Sequence, residues 1–329
     1  MVISHRERLE TTLNGEKPDR IPIALWRHFP VEDQDPINLA KATIAFQEQF
    51  DFDLVKVMPP SSFCIKDWGA ADEWQGNPEG SRTYTKFVVQ HPEDWLKLEV
   101  LDPYKGFLGD QLNCLSQLNS RFEEHTPFIQ TIFNPLSQAK NLVGADQLPL
   151  HLRKYPDALH HGLRTIQETT MRFIDAAKRS AIAGIFFVIQ HASHQILSEP
   201  EFLEFGKAYD LAILNETHDL WANMVHIHGL EIMFELVSDY PVQILNWHDR
   251  ETPPKLSEGI GRFPGSVCGG LSRVKLLELG NPEMIRMEAR NAVEQLGGKR
   301  LILGTGCGLR LTTPVGNIQA ARDFVEEVY

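Results

Sequence analysis

Cysteine is scarce in this chain of 329 residues: Cys64, Cys114, Cys268 and Cys307 are the full complement, and no two form a CxxC pair. That spacing excludes a disulfide framework and a zinc ribbon, and a reducing, cytoplasmic setting is expected. Long apolar runs are missing as well. No segment approaches the roughly 20 apolar residues of a membrane span, and the opening Met1-Val-Ile-Ser-His-Arg-Glu7 lacks the apolar core of a secretory signal. Positive charge is short, with 32 Lys and Arg against 44 Asp and Glu and a net charge of −12. This balance argues against nucleic acid and anionic membrane as partners. Internal repeats and low-complexity tracts are absent too. The chain reads as a soluble globular protein.

What is present is an alternation. Eight short apolar runs, rich in β-branched residues, occupy 21–26, 53–58, 128–134, 184–190, 224–229, 242–247, 265–270 and 301–306. Helical patterns with good punctuation lie between most of them. Ser4-His-Arg-Glu7 and Ser198-Glu-Pro-Glu201 spell capping boxes, with Gly15 a plausible stop for the first helix and 202–221 a helix after the second. Asn281-Pro282 and Thr313-Pro314 place a capping side chain before a proline. Strand–helix alternation sustained eight times predicts a (β/α)8 TIM-type barrel, α/β in class, with 1–329 as a single domain. The alternative is an open doubly wound sheet. Against it, no Gly-x-Gly-x-x-Gly follows the first run, and Gly304-Thr-Gly306-Cys-Gly308 lacks dinucleotide spacing. The stretch 60–127, between the second and third runs, is too long for a loop. It is expected to be an insertion with a strand over 84–90 and helices over 92–100 and 108–122.

The chemistry gathers where strands would end. In Met224-Val-His-Ile-His-Gly229, alternation sends His226 and His228 to one face and Val225 and Ile227 to the other. Cys307 closes the run Leu301-Ile-Leu-Gly-Thr-Gly-Cys307. If both runs end at one mouth, His226, His228 and Cys307 make three protein ligands with a position left open, the arrangement of a catalytic zinc site. His248 shares a strand face with Asn246 and is the favoured fourth ligand; Asp249 and water are the alternatives. Other strand ends supply Arg27, Asn134, Gln190, His191 and Trp247 as substrate-binding candidates. Iron or cobalt could also occupy a His₂Cys set.

Each of these residues has a plainer reading. Loop histidines such as His191 and His194 most often serve solubility and rim hydrogen bonds. Arg27 could grip an anionic substrate or form a surface ion pair with Glu32 or Asp33. Cys268 reads as a small packing residue. For His226 and His228 the plain reading is weaker, because two buried imidazoles each need a partner.

The two ends of the chain carry a resemblance. Arg6-Glu-Arg-Leu, Leu13-Asn-Gly-Glu-Lys-Pro-Asp-Arg-Ile-Pro22, Leu301-Ile-Leu-Gly-Thr-Gly-Cys-Gly308 and Thr313-Pro-Val-Gly-Asn-Ile318 resemble the opening and close of the uroporphyrinogen decarboxylase superfamily. Val225-His-Ile-His-Gly229 falls where that superfamily has a His-containing strand end. The likeness runs over nearly the whole length and is weakest over 60–127. It implies a distorted (β/α)8 barrel, often a homodimer.

Details separate two chemistries within that superfamily. The true decarboxylases carry two arginines in a Met-Arg-Gln-Ala-Gly-Arg stretch and an aspartate after the second strand. Here Arg27 matches the first arginine, His28-Phe-Pro-Val31 follows without a second, and Lys56-Val-Met-Pro-Pro-Ser-Ser62 has no acid. The branch similar to methylcobalamin:coenzyme M methyltransferases binds zinc through His-x-Cys and a distant Cys. His226 and Cys307 match its first and last ligands, with His228 in place of the middle cysteine. The resemblance therefore implies a zinc-dependent methyltransferase-like enzyme, moving a methyl group between a corrinoid and a small thiol or anionic acceptor. The corrinoid would sit on a partner protein, because no Asp-x-His-x-x-Gly is present. A uroporphyrinogen decarboxylase and a non-catalytic subunit of a methyl-transfer system are the alternatives.

Overall fold

The computed structural model describes residues 3–122 and 125–327. Nine strands are formed among them: β1 Val55–Val57, β2 Ala71–Glu73, β3 Thr83–Lys86, β4 Phe128–Phe133, β5 Gly184–Ile189, β6 Met224–Ile227, β7 Ile244–Trp247, β8 Ser266–Leu271 and β9 Leu301–Thr305. Seven pair in parallel in the order β1-β4-β5-β6-β7-β8-β9, a curled sheet with helices between successive strands. These strands are buried along their whole length, which is why they read as continuous apolar runs. The architecture is the α/β, TIM-type one.

The first expected strand is replaced by irregular chain that fills the remaining gap. Ile23 bridges Leu303 of β9, while its carbonyl accepts from Asp53 N (2.9 Å) on the β1 side. Pro22 has no N–H to give, and the Ile23 N–H goes to the Asp53 carboxylate at 2.8 Å. The ladder is interrupted at these positions: toward β9 the segment pairs at the isolated bridges Ile23–Leu303 and Arg27–Leu309, and toward β1 through the bond from Asp53 N to Ile23 O.

The stretch 60–127 has its own structure, as its length demands. β2 and β3 form an antiparallel pair apart from the large sheet, followed by a short 3-10 helix, Pro92–Lys97, and the helix Gly106–Phe122. The extra strand is shorter than the expected 84–90. Both capping boxes form, and Asn281 caps its helix through Met284 N. Thr313 does not: its hydroxyl is buried without a partner, and the last helix, Val315–Glu327, begins after Pro314. The helix expected over 202–221 ends at Asn215 and contains a π turn, Leu203–Lys207. Gly206 sits in that turn, where a Cβ would lie 2.6 Å from the Phe202 ring. No helix among the described residues is long and apolar enough to cross a membrane.

Candidate metal centre and its cavity

His226 lies within β6, paired in register with Asn246 of β7, and His228 follows one residue past the strand. Gly229, at φ 99°, then turns the chain away, a conformation that disfavours any side chain there. Cys307 is brought up by Gly306, whose Cβ would lie 2.5 Å from the Cα of His248 and 2.6 Å from the Trp247 carbonyl. Only glycine allows that approach. Gly308, by contrast, has ordinary van der Waals room.

The result is that one donor atom each from His226, His228, His248 and Cys307 lies within 4.8 Å of every other. The His226 Nε2 to His228 Nδ1 distance is 3.3 Å, and His248 Nε2 to His228 Nδ1 is 3.4 Å. Nitrogens around one tetrahedral zinc, each about 2.0–2.1 Å from it, stand about 3.3–3.4 Å apart. Good N–H hydrogen bonds are shorter, about 2.9–3.0 Å. One His228 Nδ1 also faces two imidazole nitrogens, an arrangement that a single proton serves badly and a shared cation serves well.

Outer partners fix which nitrogens point inward. Asn246 donates both amide hydrogens to carbonyls, Cys268 O and Thr305 O at 2.9 Å each. Its Oδ1 therefore accepts from His226 Nδ1 at 2.6 Å, leaving the Nε2 lone pair for the centre. His248 Nδ1 faces Glu251 Oε2 at 3.3 Å, which directs its Nε2 inward likewise. Burial holds His226 down at about 4, so it stays neutral. Burial works against ionising Cys307 as well, but hydrogen bonds with His226, His228 and His248 outweigh it and hold the thiol well below its usual value. His248 is pushed up to about 9: burial opposes its charge, and Cys307 and Glu251 overcome that. Near neutral pH the pocket thus holds the Cys307 thiolate with the proton on His248; a zinc ion would displace that proton, and a thiolate with imidazoles is a suitable donor set for it.

His226, His228 and Cys307 form one wall of a cavity of about 480 Å³ at the C-terminal ends of the strands. His248 stands behind them, outside the lining. Toward the β1–β4 side the cavity is lined by Lys56, Thr131, Phe133 and Lys140, and the long insertion contributes Glu79, Arg82 and Tyr84. Lys56 Nζ lies 4.2 Å from the ring centre of Phe186 and 5.5 Å from that of Trp26, and contacts Met58 Sδ. Phe186 in turn stacks on His226, with ring centres 5.4 Å apart. Lys56 is 7% exposed, and burial pulls its ammonium down to about 7. Lys140 donates to Gln190 Oε1 at 3.1 Å, and burial pulls it down to about 8.

The remaining substrate-binding candidates divide. Gln190 lines the cavity. Arg27 does not: its guanidinium packs 5.3 Å from the Phe29 ring and 5.9 Å from that of Phe46, and the neighbouring His28 faces the cavity instead. Asn134 is sealed in, capping the helix Pro135–Val143 through Ser137 N and donating to Asp210 at 2.9 Å. Trp247 is fully buried on the opposite strand face from Asn246, against Phe234, with its Nε1 donating to Pro254 O at 2.8 Å. His191 is buried outside the lining, with Nδ1 unpartnered. His194 lies 3.9 Å from Glu199. Asp249 takes the Gly270 N–H at 3.2 Å, and Cys268 packs against Gly304, where a Cβ would meet its sulfur at 2.8 Å. Lys56, Lys140, Glu79 and Arg273 were not singled out from sequence; only the burial of β1 on both faces hints at the first.

The family model for uroporphyrinogen decarboxylase (URO-D) matches residues 4–328, and the chain belongs to that family. The fold is similar to that of a methyltransferase from Methanosarcina mazei, with a TM-score of 0.88, 19% identity and both chains covered in full. It is also similar to a B12-independent methionine synthase from Shewanella sp., with a TM-score of 0.58, 15% identity and coverage of 95% and 94%. A putative vitamin-B12-independent methionine synthase from Listeria monocytogenes gives 0.57, 11% identity and coverage of 94% and 96%. No curated protein matches the sequence.

Proposed function

We propose that this chain is a zinc-dependent methyltransferase-type enzyme whose metal ligands are His226, His228 and Cys307, with His248 as the fourth ligand at rest. The observation that carries this reading is the convergence of four donor atoms within 4.8 Å of one another, two nitrogen pairs among them at the spacing of a tetrahedral ion, with two imidazoles oriented by Asn246 and Glu251. A zinc ion there would supply Lewis acidity, lowering the pKa of an acceptor thiol so that it reacts as the thiolate. The chain's own groups do the rest. Were zinc bound, His226, His228 and Cys307 would hold it at the cavity wall, within reach of an acceptor, and His248 would hold it from outside the lining. Glu251, facing His248 Nδ1 at 3.3 Å, would keep that ring oriented with Nε2 inward. The one thiolate, Cys307, keeps the centre more positive than a site with two, favouring deprotonation of the acceptor over its nucleophilicity. The methyl donor in this reading is a corrinoid carried by a separate protein.

Decarboxylation of a porphyrinogen is the weaker reading. Among the described residues, Glu79 is the one carboxylate lining the cavity, and it is held by Arg273 and by Arg310 at 2.7 Å. Among the described residues no lining acid is left to hold pyrrole N–H groups.

Metal analysis of protein purified without chelator tests the proposal. About one zinc per chain is expected. Less than about 0.2 per chain, with no gain on reconstitution, would overturn it. Turnover of uroporphyrinogen by metal-free protein would establish the alternative.

A further inference from the structure

The connection 74–82, between β2 and β3, runs along the mouth of the cavity from the β1 side to the loops after β8 and β9. It supplies Glu79, Gly80, Ser81 and Arg82 to the lining. Its two ends are held in different ways. The base is sunk in the protein. The Asp33 and Asp72 side chains are fully buried and both pair with Arg82, and Asp72 also pairs with Lys66. Arg82 donates to Pro30 O at 2.8 Å, and Tyr84 meets Ser61 at 2.9 Å.

The far end has no such anchor. No residue from Glu73 to Glu79 is buried, and a Cβ on Gly76 would meet only open space. Its hold on the opposite rim is polar. Leu311 N–H donates to Pro78 O at 2.8 Å, and Glu79 pairs with Arg273 and, at 2.7 Å, with Arg310. Each arginine has a second acid on the barrel itself, Glu251 for Arg273 at 3.8 Å and Glu278 for Arg310 at 3.0 Å. Releasing Glu79 therefore leaves neither guanidinium without a partner. Part-exposed ion pairs contribute little net stability, and segments without buried apolar contacts open before the core does. Two glycines at positive φ flank the contact, Gly76 at 82° and Gly80 at 74°. Gly80 lies against His28, where a Cβ would overlap that of the histidine, so the chain can pass there only as glycine.

We propose that 74–82 is a strap that swings about its β2–β3 base, with Glu79 as its latch, and that it gates by size what reaches the cavity. Latched, it passes small molecules. Unlatched, it opens the mouth to bulkier ones, and Arg273 and Arg310 turn to Glu251 and Glu278. The gate does not rest on the metal-centre reading, because the latch joins residues outside the ligand set.

Alkylation of Cys307 in chelator-treated protein tests it, since Cys307 is the one cysteine of the four that is not buried. The rate with a bulky uncharged reagent, N-(1-pyrenyl)maleimide, is divided by the rate with a small one, N-ethylmaleimide, which cancels any change in thiol reactivity. The ratio is expected to rise at least about threefold in Glu79→Gln, and less in Arg310→Met, which leaves Arg273 on the latch. Hydrogen exchange on the same proteins separates opening from unfolding. The Leu311 amide should lose protection in Glu79→Gln while the amides of β5 keep theirs. An unchanged ratio would overturn the proposal, whether or not Leu311 loses protection. If β5 loses protection too, Glu79 is needed for folding and Arg310→Met decides: a raised ratio with β5 protected supports the strap, and an unchanged one overturns it.

Discussion

Asp53 and Lys56 lie three residues apart, one just before β1 and the other within it, and both are buried. Their surroundings are opposite. Asp53 receives Arg8 and Arg20 at 2.7 Å, His5 at 2.8 Å and the Ile23 N–H at 2.8 Å, so its oxygens are fully used. Burial alone would raise its pKa, but His5, Arg20 and their charges hold it at about 2. Lys56 has two ring faces and a thioether sulfur and no carboxylate, and the Cys307 thiolate is the charge that favours its ammonium. In a TIM-type barrel the N-terminal end of a strand serves stability and the C-terminal end serves chemistry. Here one short strand shows both: charge satisfied by the chain itself below, and charge facing the cavity above.

That contrast can be broken or sharpened by substitution. The largest effect is expected at Asp53. Asp53→Ala leaves Arg8 and Arg20 buried without their acid and should cost about 3–5 kcal/mol in unfolding free energy by denaturant titration. A pH series sharpens it. The folded pKa lies below the unfolded value, so this stabilisation is complete above pH about 4 and is lost as pH falls toward 2. An acid limb that persists unchanged in Asp53→Ala would contradict the assignment. Next is Asn246→Ala, which frees the His226 ring to take either tautomer. Zinc affinity, measured by competition with a chromophoric chelator, should weaken about 10–100-fold, and global stability should fall by about 1–3 kcal/mol because the Cys268 and Thr305 carbonyls lose their donor. Lys56→Met should run against the usual direction for a core change, stabilising the metal-free protein by about 1–2 kcal/mol. Arg27→Ala comes last. It loses contacts with Phe29 and Phe46 and should cost about 1 kcal/mol or less.

The legible part of the site was the part governed by strand alternation. His226 and His228 share a face because they are two apart, and His248 joins Asn246 for the same reason. The same parity places Trp247 on the other face, and it places His28 rather than Arg27 beside inward-facing Trp26. Asn134-Pro135 has the same spelling as the cap Asn281-Pro282, so its capping role was readable and a ligand role was not needed. What could not be read came from convergence of distant segments. Glu79, Arg273 and Arg310 meet across 231 residues, and no local period announces such a cluster. Lys56 carries no such signal, because a lysine in a short run suggests exposure, while β1 is buried on both faces. In the fold, the strand over 21–26 failed for local reasons: Pro22 lacks a donor and Asp53 claims the Ile23 N–H.

Anomalous diffraction recorded on both sides of the zinc absorption edge, from crystals grown without chelator, tests the metal centre most directly. The account predicts one strong peak per chain within about 2.0–2.3 Å of His226 Nε2, His228 Nδ1 and Cys307 Sγ, with His248 Nε2 completing a tetrahedron. No peak there after soaking with zinc, or a peak bound elsewhere, would contradict it.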